Sequence, residues 1–111
     1  MKSRIDKLKC KIHRNKNKDI IYYINNKKNR GRDLPSVVYK DSTRFWCKNG
    51  RYHRENDLPA AIWNDGSRRW YINGKAHRDN GKPSFIFSDG YMQWWENGNY
   101  IKDNFDEIKN K

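Results

Sequence analysis

A period of 24 residues runs through most of this 111-residue chain and constrains its fold more than any other feature. The stretch DSTRFWCKNGRYHRENDLPAAIWN, residues 41–64, lies directly over DGSRRWYINGKAHRDNGKPSFIFS, residues 65–88. Asp41, Asp65 and Asp89 share a column, as do Trp46, Trp70 and Trp94, then Asn49, Asn73 and Asn97, then Gly50, Gly74 and Gly98. His53 with His77, Arg54 with Arg78, and Pro59 with Pro83 complete the signature, and Gly66 and Gly90 follow the second and third Asp. A degenerate copy spans 20–40, with Tyr22 in the Trp column, and a partial one spans 89–103. Atypical first and last copies fit the caps of a repeat array. The expected organisation is therefore a basic N-terminal arm at 1–19, repeats over 20–103, and a tail at 104–111.

Each unit carries two short strand signals. Arg68–Ile72 ends at Asn73-Gly74, and Ser84–Phe87 ends at Asp89-Gly90. Both dipeptides suit tight turns, because they tolerate positive φ. Pro35, Pro59 and Pro83 precede the second strand, where a missing N–H disturbs no ladder bond. The predicted fold is all-β, an elongated single-sheet meander of antiparallel hairpins with about seven or eight short strands. Alternation within the first strand predicts two aromatic stripes, Tyr22, Trp46, Trp70 and Trp94 on one face and Tyr23, Cys47, Tyr71 and Trp95 on the other. One face then needs a cover, from the sheet's own curl, the arm, or a second molecule.

These residues resemble the MORN repeat in the divergent form found in bacteria and large DNA viruses, D-G-x-x-x-W-Y-x-N-G-x-x-H-R-x-x-G-P-A. The matching positions are Asp65-Gly66, Trp70-Tyr71, Asn73-Gly74, His77-Arg78, Gly81 and Pro83. The resemblance implies an elongated sheet of stacked hairpins, often dimeric, that serves as an interaction scaffold, with lipid binding proposed for some members.

Hydrophobic residues are 34% of the chain, too few for a large core, whereas aromatics reach 14% with five Trp, unlike a disordered composition. No run approaches the roughly 20 apolar residues of a spanning helix, and residues 1–18 lack a signal peptide's apolar core. The expectation is an intracellular protein, whether in cytoplasm, nucleus or virion. Cys10 and Cys47 have no metal-ligand spacing and are read as free thiols.

Equivalent residues of adjacent units should lie about 9.5 Å apart, two strands at ~4.8 Å each. The His column therefore cannot share a zinc ion, nor the Asp column a calcium ion. Each is read as structural: His53 and His77 through bonds to backbone, Asp41, Asp65 and Asp89 as turn formers. Without a phosphate loop or an independent nucleophile and base, an enzyme is not expected, nor is a cofactor.

The net charge of +12 is unevenly placed: residues 1–30 hold 11 basic residues against two acidic, a net of +9. Lys2, Arg4, Lys7, Lys9, Lys11, Arg14, Lys16 and Lys18 are the candidate polyanion-binding residues. The expected function is protein binding, including self-association, through an aromatic face anchored by Tyr22, Tyr23, Trp46, Trp70, Tyr71, Trp94 and Trp95. Nucleic-acid association through the arm is the alternative, and toxin neutralisation a third reading.

Overall fold

The structure, a computed structural model, describes residues 10–14, 16–24, 27–28 and 30–109. It is an all-β array measuring 63 × 31 × 18 Å. In chain order the strands are β1 (Cys10–Arg14), β2 (Ile20–Ile24), β3 (Lys27–Lys28), β4 (Val37–Val38), β5 (Arg44–Phe45), β6 (Cys47–Lys48) and β7 (Arg51–Tyr52). They continue as β8 (Ala61–Ile62), β9 (Arg68–Arg69), β10 (Tyr71–Ile72), β11 (Lys75–Ala76), β12 (Phe85–Ile86), β13 (Met92–Glu96) and β14 (Asn99–Asp103), followed by a short helix, α1 (Phe105–Lys109). The main sheet has ten strands: β1-β2-β4-β5-β8-β9-β12-β13-β14 form an antiparallel path, and β3 pairs with β2 beside it. Hairpins β6-β7 and β10-β11 stand apart as two-stranded ribbons.

Strand segments thus number fourteen among the described residues, against the seven or eight expected: return strands such as β3, β7 and β11 and the early β1 add to the count, and the tryptophan column splits two strands into β5/β6 and β9/β10. Trp46 donates its N–H to the Ala60 carbonyl in the main sheet at 2.7 Å, while its own carbonyl accepts from His53 N at 3.0 Å in the hairpin. Trp70 does the same with Ser84 at 2.8 Å and His77 at 3.2 Å. Each Trp therefore belongs to both ladders, and the strand breaks where it changes sheet. In the last unit the same change shows as a register irregularity between Trp94 and Trp95 inside β13.

The hairpins form a second row. Gly50 N bonds Lys28 O at 3.0 Å, Gly74 N bonds Tyr52 O at 2.7 Å, and Gly98 N bonds Ala76 O at 2.9 Å. Their tips have φ near +50° at Asn49, Asn73 and Asn97, followed by +82° at each glycine, which is why the column is Asn-Gly. Gly74 is constrained further, since a Cβ there would lie 3.4 Å from Arg51 Cβ. At the opposite loops, Asp41, Asp65 and Asp89 accept the N–H two residues on at 2.8–2.9 Å.

Small buried residues fill the crossing between rows. Ser36, Ala60 and Ser84 occupy one column, each 0% exposed. The Ser84 hydroxyl accepts from Trp95 N at 2.6 Å and donates to Trp95 O at 2.9 Å, and Ser36 makes the same pair of bonds to Cys47 at 3.0 Å.

The array also reaches beyond Ile20. His13 and Arg14 pair with Ile21 and Ile20 as Val37 and Val38 pair with Phe45 and Arg44, so β1 stands one period before β4. At the far end, Asn104 accepts from Met92 N at 2.7 Å and donates to Gly90 O at 3.1 Å, and its carbonyl starts α1. No helix among the described residues is long and apolar enough to cross a membrane.

Removing the Ser84 hydroxyl leaves Trp95's backbone groups without these partners in a fully buried place. Ser84→Ala should cost about 1–3 kcal/mol in urea unfolding. An unchanged midpoint would show that the hydroxyl does not hold the two rows together.

Candidate functional site

Cross-strand register sorts the main sheet into two faces. Val37, Phe45, Ala61, Arg69, Phe85 and Gln93 lie opposite one another on one face, and Val38, Arg44, Ile62, Arg68, Ile86 and Met92 on the other.

On the side of the second face, the tryptophan column is covered by the chain itself. Trp46 and Trp70 are only 6% and 5% exposed. The loops before β4, β8 and β12 bring carbonyls to the indoles: Trp46 Nε1 donates to Asp33 O at 2.9 Å, Trp70 Nε1 to Asp57 O at 3.0 Å, and Trp94 Nε1 to Gly81 O at 2.9 Å. An arginine eight residues after the first two rings lies on each, Arg54 Cζ 3.7 Å from the Trp46 centroid and Arg78 Cζ 3.8 Å from Trp70. Both guanidiniums also bind the preceding loop's aspartate through two nitrogens. Arg54 reaches Asp33 at 2.9 and 3.1 Å, and Arg78 reaches Asp57 at 2.8 and 3.3 Å. The remaining nitrogen holds Pro59 O at 3.1 Å or Pro83 O at 3.0 Å. Trp46 and Trp70 are therefore packing residues here, and their inclusion among the interface anchors is corrected.

The histidines tie neighbouring units. His53 Nδ1 accepts from Asn73 N at 3.0 Å and His77 Nδ1 from Asn97 N at 3.1 Å, which places the imidazole proton on Nε2. His77 Nε2 then meets Asp79 at 2.7 Å. Among the described residues, no group of three or more His, Cys, Asp or Glu could hold a metal ion. Cys47 is buried, and burial pushes its thiol up to about 11, which keeps it protonated and unreactive at neutral pH.

The first face is covered in part by the hairpins, with Val37, Ala61 and Phe85 buried, and reaches solvent along its tyrosines. A continuous row of rings crosses it: Tyr39–Phe45 at 5.5 Å, Phe45–Tyr52 at 5.4 Å, Tyr52–Tyr71 at 5.2 Å, Tyr71–Phe85 at 5.9 Å, Phe85–Trp95 at 5.4 Å and Trp95–Tyr100 at 5.6 Å. Trp63 joins it through Phe45 at 5.5 Å. Arg69 is set among three rings, its Cζ 4.4 Å from Phe85, 5.1 Å from Trp63 and 5.6 Å from Phe87. Tyr39, Tyr52 and Tyr100 remain 39%, 41% and 49% exposed. Two hollows one repeat apart lie beside the row, about 480 Å³ at Tyr39, Phe45 and Trp63 and about 260 Å³ at Trp63, Arg69 and Phe87.

Of the expected anchors, Tyr71 and Trp95 lie in this row, while Tyr22 and Trp94 lie in the tryptophan column, under Arg30 and Lys102. Tyr23 is placed in β2. Sequence reading missed Tyr39, Phe45, Tyr52, Trp63, Phe85 and Tyr100. The one signal that could have found Tyr52 and Tyr100 is their shared column, broken by Lys28 and Ala76. Of the polyanion candidates, Lys2, Arg4, Lys7 and Lys9 lie outside the described residues, Lys11 is placed in β1, and Arg14, Lys16 and Lys18 are exposed. No family model, curated protein or solved structure matches the chain.

The Arg–Asp pairs make stability depend on pH. Hydrogen bonds from Arg78, and then Lys82, hold the Asp57 carboxyl down to about 2, and Arg54 lowers Asp33 in the same direction. A lowered folded pKa contributes stability that is complete above the ordinary value of 3.8 and lost as pH falls through the folded value. Asp57→Asn should lower stability at pH 7 by about 0.5–1 kcal/mol, the size of a well-formed exposed pair. The deficit should vanish on acidification toward pH 2, and a deficit that persists there would contradict the assignment.

Proposed function

We propose that the chain is a non-enzymatic, MORN-like repeat scaffold that binds protein through its aromatic face, and that a second copy of the chain is the simplest partner. The observation that carries this reading is the unbroken ring row from Tyr39 to Tyr100, with three tyrosines more than a third exposed. Its chemistry suits an interface core, where Tyr, Trp and Arg are enriched and Lys and Glu are depleted. Arg69 among its rings supplies register, and the hydroxyls of Tyr39, Tyr52 and Tyr100 tolerate water in the free state. A two-fold axis lying in the plane of the interface, parallel to the face, would set the row against its own copy, as an isologous interface requires. The 24-residue period and the Asn-Gly, His-Arg and Asp-Gly columns support the family reading.

A second reading rests on charge. Nine of the twelve excess positive charges lie within residues 1–30, and Arg14, Lys16 and Lys18 are exposed at that end. Nucleic-acid binding there would weaken steeply with salt as counterions are released.

Size-exclusion chromatography with light scattering separates these readings. The wild-type protein should be a dimer, and the double variant Tyr52→Ser, Tyr100→Ser a folded monomer. A wild-type protein that stays monomeric at high micromolar concentration would refute self-association. Salt-sensitive oligonucleotide binding that disappears on replacing Arg14, Lys16 and Lys18 with Ser would favour the second reading.

A further inference from the structure

The two hollows beside the ring row repeat with the chain. The first is lined by Tyr39 and Trp63 with Thr43 and Phe45, the second by Trp63 and Phe87 with Ser67 and Arg69. Each of these positions in the first, advanced by 24 residues, is the matching position in the second, so Trp63 is the wall they share. Hydrogen-bond donors gather there without acceptors. Trp46, Trp70, Trp94 and Trp95 each donate their indole N–H within the molecule, whereas among the described residues nothing accepts from Trp63 Nε1. The Tyr39 hydroxyl has no acceptor among them either, and the Arg69 guanidinium is held by rings alone.

We propose that these hollows take a proline-rich segment of a partner protein in the polyproline II conformation, with a basic residue beside the proline of the first hollow. Spacing selects the conformation. Hollows one unit apart are two strands apart, about 9.5 Å at ~4.8 Å per strand. A polyproline II helix returns a side chain to the same face every three residues, about 9.3 Å. An extended β-strand does so every ~6.7 Å and an α-helix every ~5.4 Å, so either would set a side chain against the Trp63 wall. Hydrogen bonding selects the same ligand. Polyproline II has no internal hydrogen bonds and proline has no N–H, so such a segment offers carbonyls to the three idle donors and asks for few acceptors.

Charge sets the flanking residue. Asp19 and Asp41 outnumber Lys40 around the first hollow, an acidic spot on a chain of net charge +12. One Asp41 oxygen accepts from Thr43 N at 2.9 Å and the carboxylate joins no ion pair among the described residues, so a lysine or arginine can reach the other oxygen. The three prolines of this chain have their carbonyls tied to Arg30, Arg54 and Arg78 in its own loops, so a second copy does not supply the segment. The proposal rests on the reading of this side as a protein-binding surface, and names a partner for it other than the chain itself.

The test uses the full chain at physiological salt and a fluorescent Lys-Pro-Pro-Pro-Pro-Pro-Pro peptide, followed by anisotropy, with the same peptide carrying alanine for every proline as control. The proline peptide should bind and the alanine peptide should not; equal binding, or none, would overturn the proposal. Trp63→Phe keeps the wall and removes the donor, and should weaken binding about fivefold. In the wild-type protein, where no variant has to fold, the Trp63 Nε1–H resonance should move on addition of peptide while those of Trp46 and Trp70 stay; a Trp63 resonance that stays while others shift would overturn the site. A single-stranded oligonucleotide that displaces the peptide and moves the same resonance would overturn the choice of partner. The monomeric variant Tyr52→Ser, Tyr100→Ser should bind the peptide as the wild type does, and binding lost there would shift the site to the ring row itself. A wild-type protein that binds the peptide yet never dimerises would keep this proposal and remove only the second copy as partner.

Discussion

Everything in this array depends on the arginine that lies flat on a tryptophan and reaches back into the previous unit. Arg78 touches Trp70 of its own first strand, Pro83 just before its own second strand, and Asp57 of the unit before. A strand, a loop and a neighbour are thus fixed by one planar cation, which a flexible ammonium cannot do in the same geometry. The indole completes the arrangement by donating to the backbone of the same Asp57 whose side chain the arginine holds. Because the distances in sequence, eight, five and 21 residues, recur from unit to unit, a one-residue insertion between Trp70 and Arg78 would shift both the ring and the aspartate contact, and one between Arg78 and Pro83 the proline contact. The 24-residue period is the trace of that requirement.

The two faces follow from this clamp. With loops drawn over Trp46 and Trp70, one side of the sheet is satisfied by the chain's own backbone and side chains, and its burial stabilises each unit against the next. The other side is covered in part by the two Asn-Gly hairpins, whose Tyr52 and Tyr71 pack on Phe45 and Phe85 of the main sheet. Its rings pack sideways along the row and leave their outer edges to solvent. An array with so thin a cross-section leaves part of its aromatic surface to solvent, Tyr39, Tyr52 and Tyr100 among it.

The period, the all-β character and the turn positions were legible in the sequence, since Asn-Gly and Asp-Gly mark φ values that few other residues adopt. The doubling of the strand count was not. Alternation reads Arg68–Ile72 as one strand, and nothing in the residue types says that Trp70 gives its N–H to one sheet and its carbonyl to another. The same break explains the error over Trp46 and Trp70: a large ring on an alternating strand looks outward-facing until the loop that covers it is placed. Asp33 and Asp57 were not singled out, because their arginine partners lie 21 residues away and only the fold brings them together.

The central claim is that the tryptophan column is covered and the aromatic row is a docking surface, and hydroxyl-radical footprinting across a concentration series reads both at once. Trp46 and Trp70 should stay unreactive at every concentration, while Tyr39, Tyr52 and Tyr100 are oxidised in dilute solution and become protected together as concentration rises. Reactive tryptophans in the clamp, or tyrosines whose oxidation stays constant while the edge strands β1 and β14 become protected, would contradict the account.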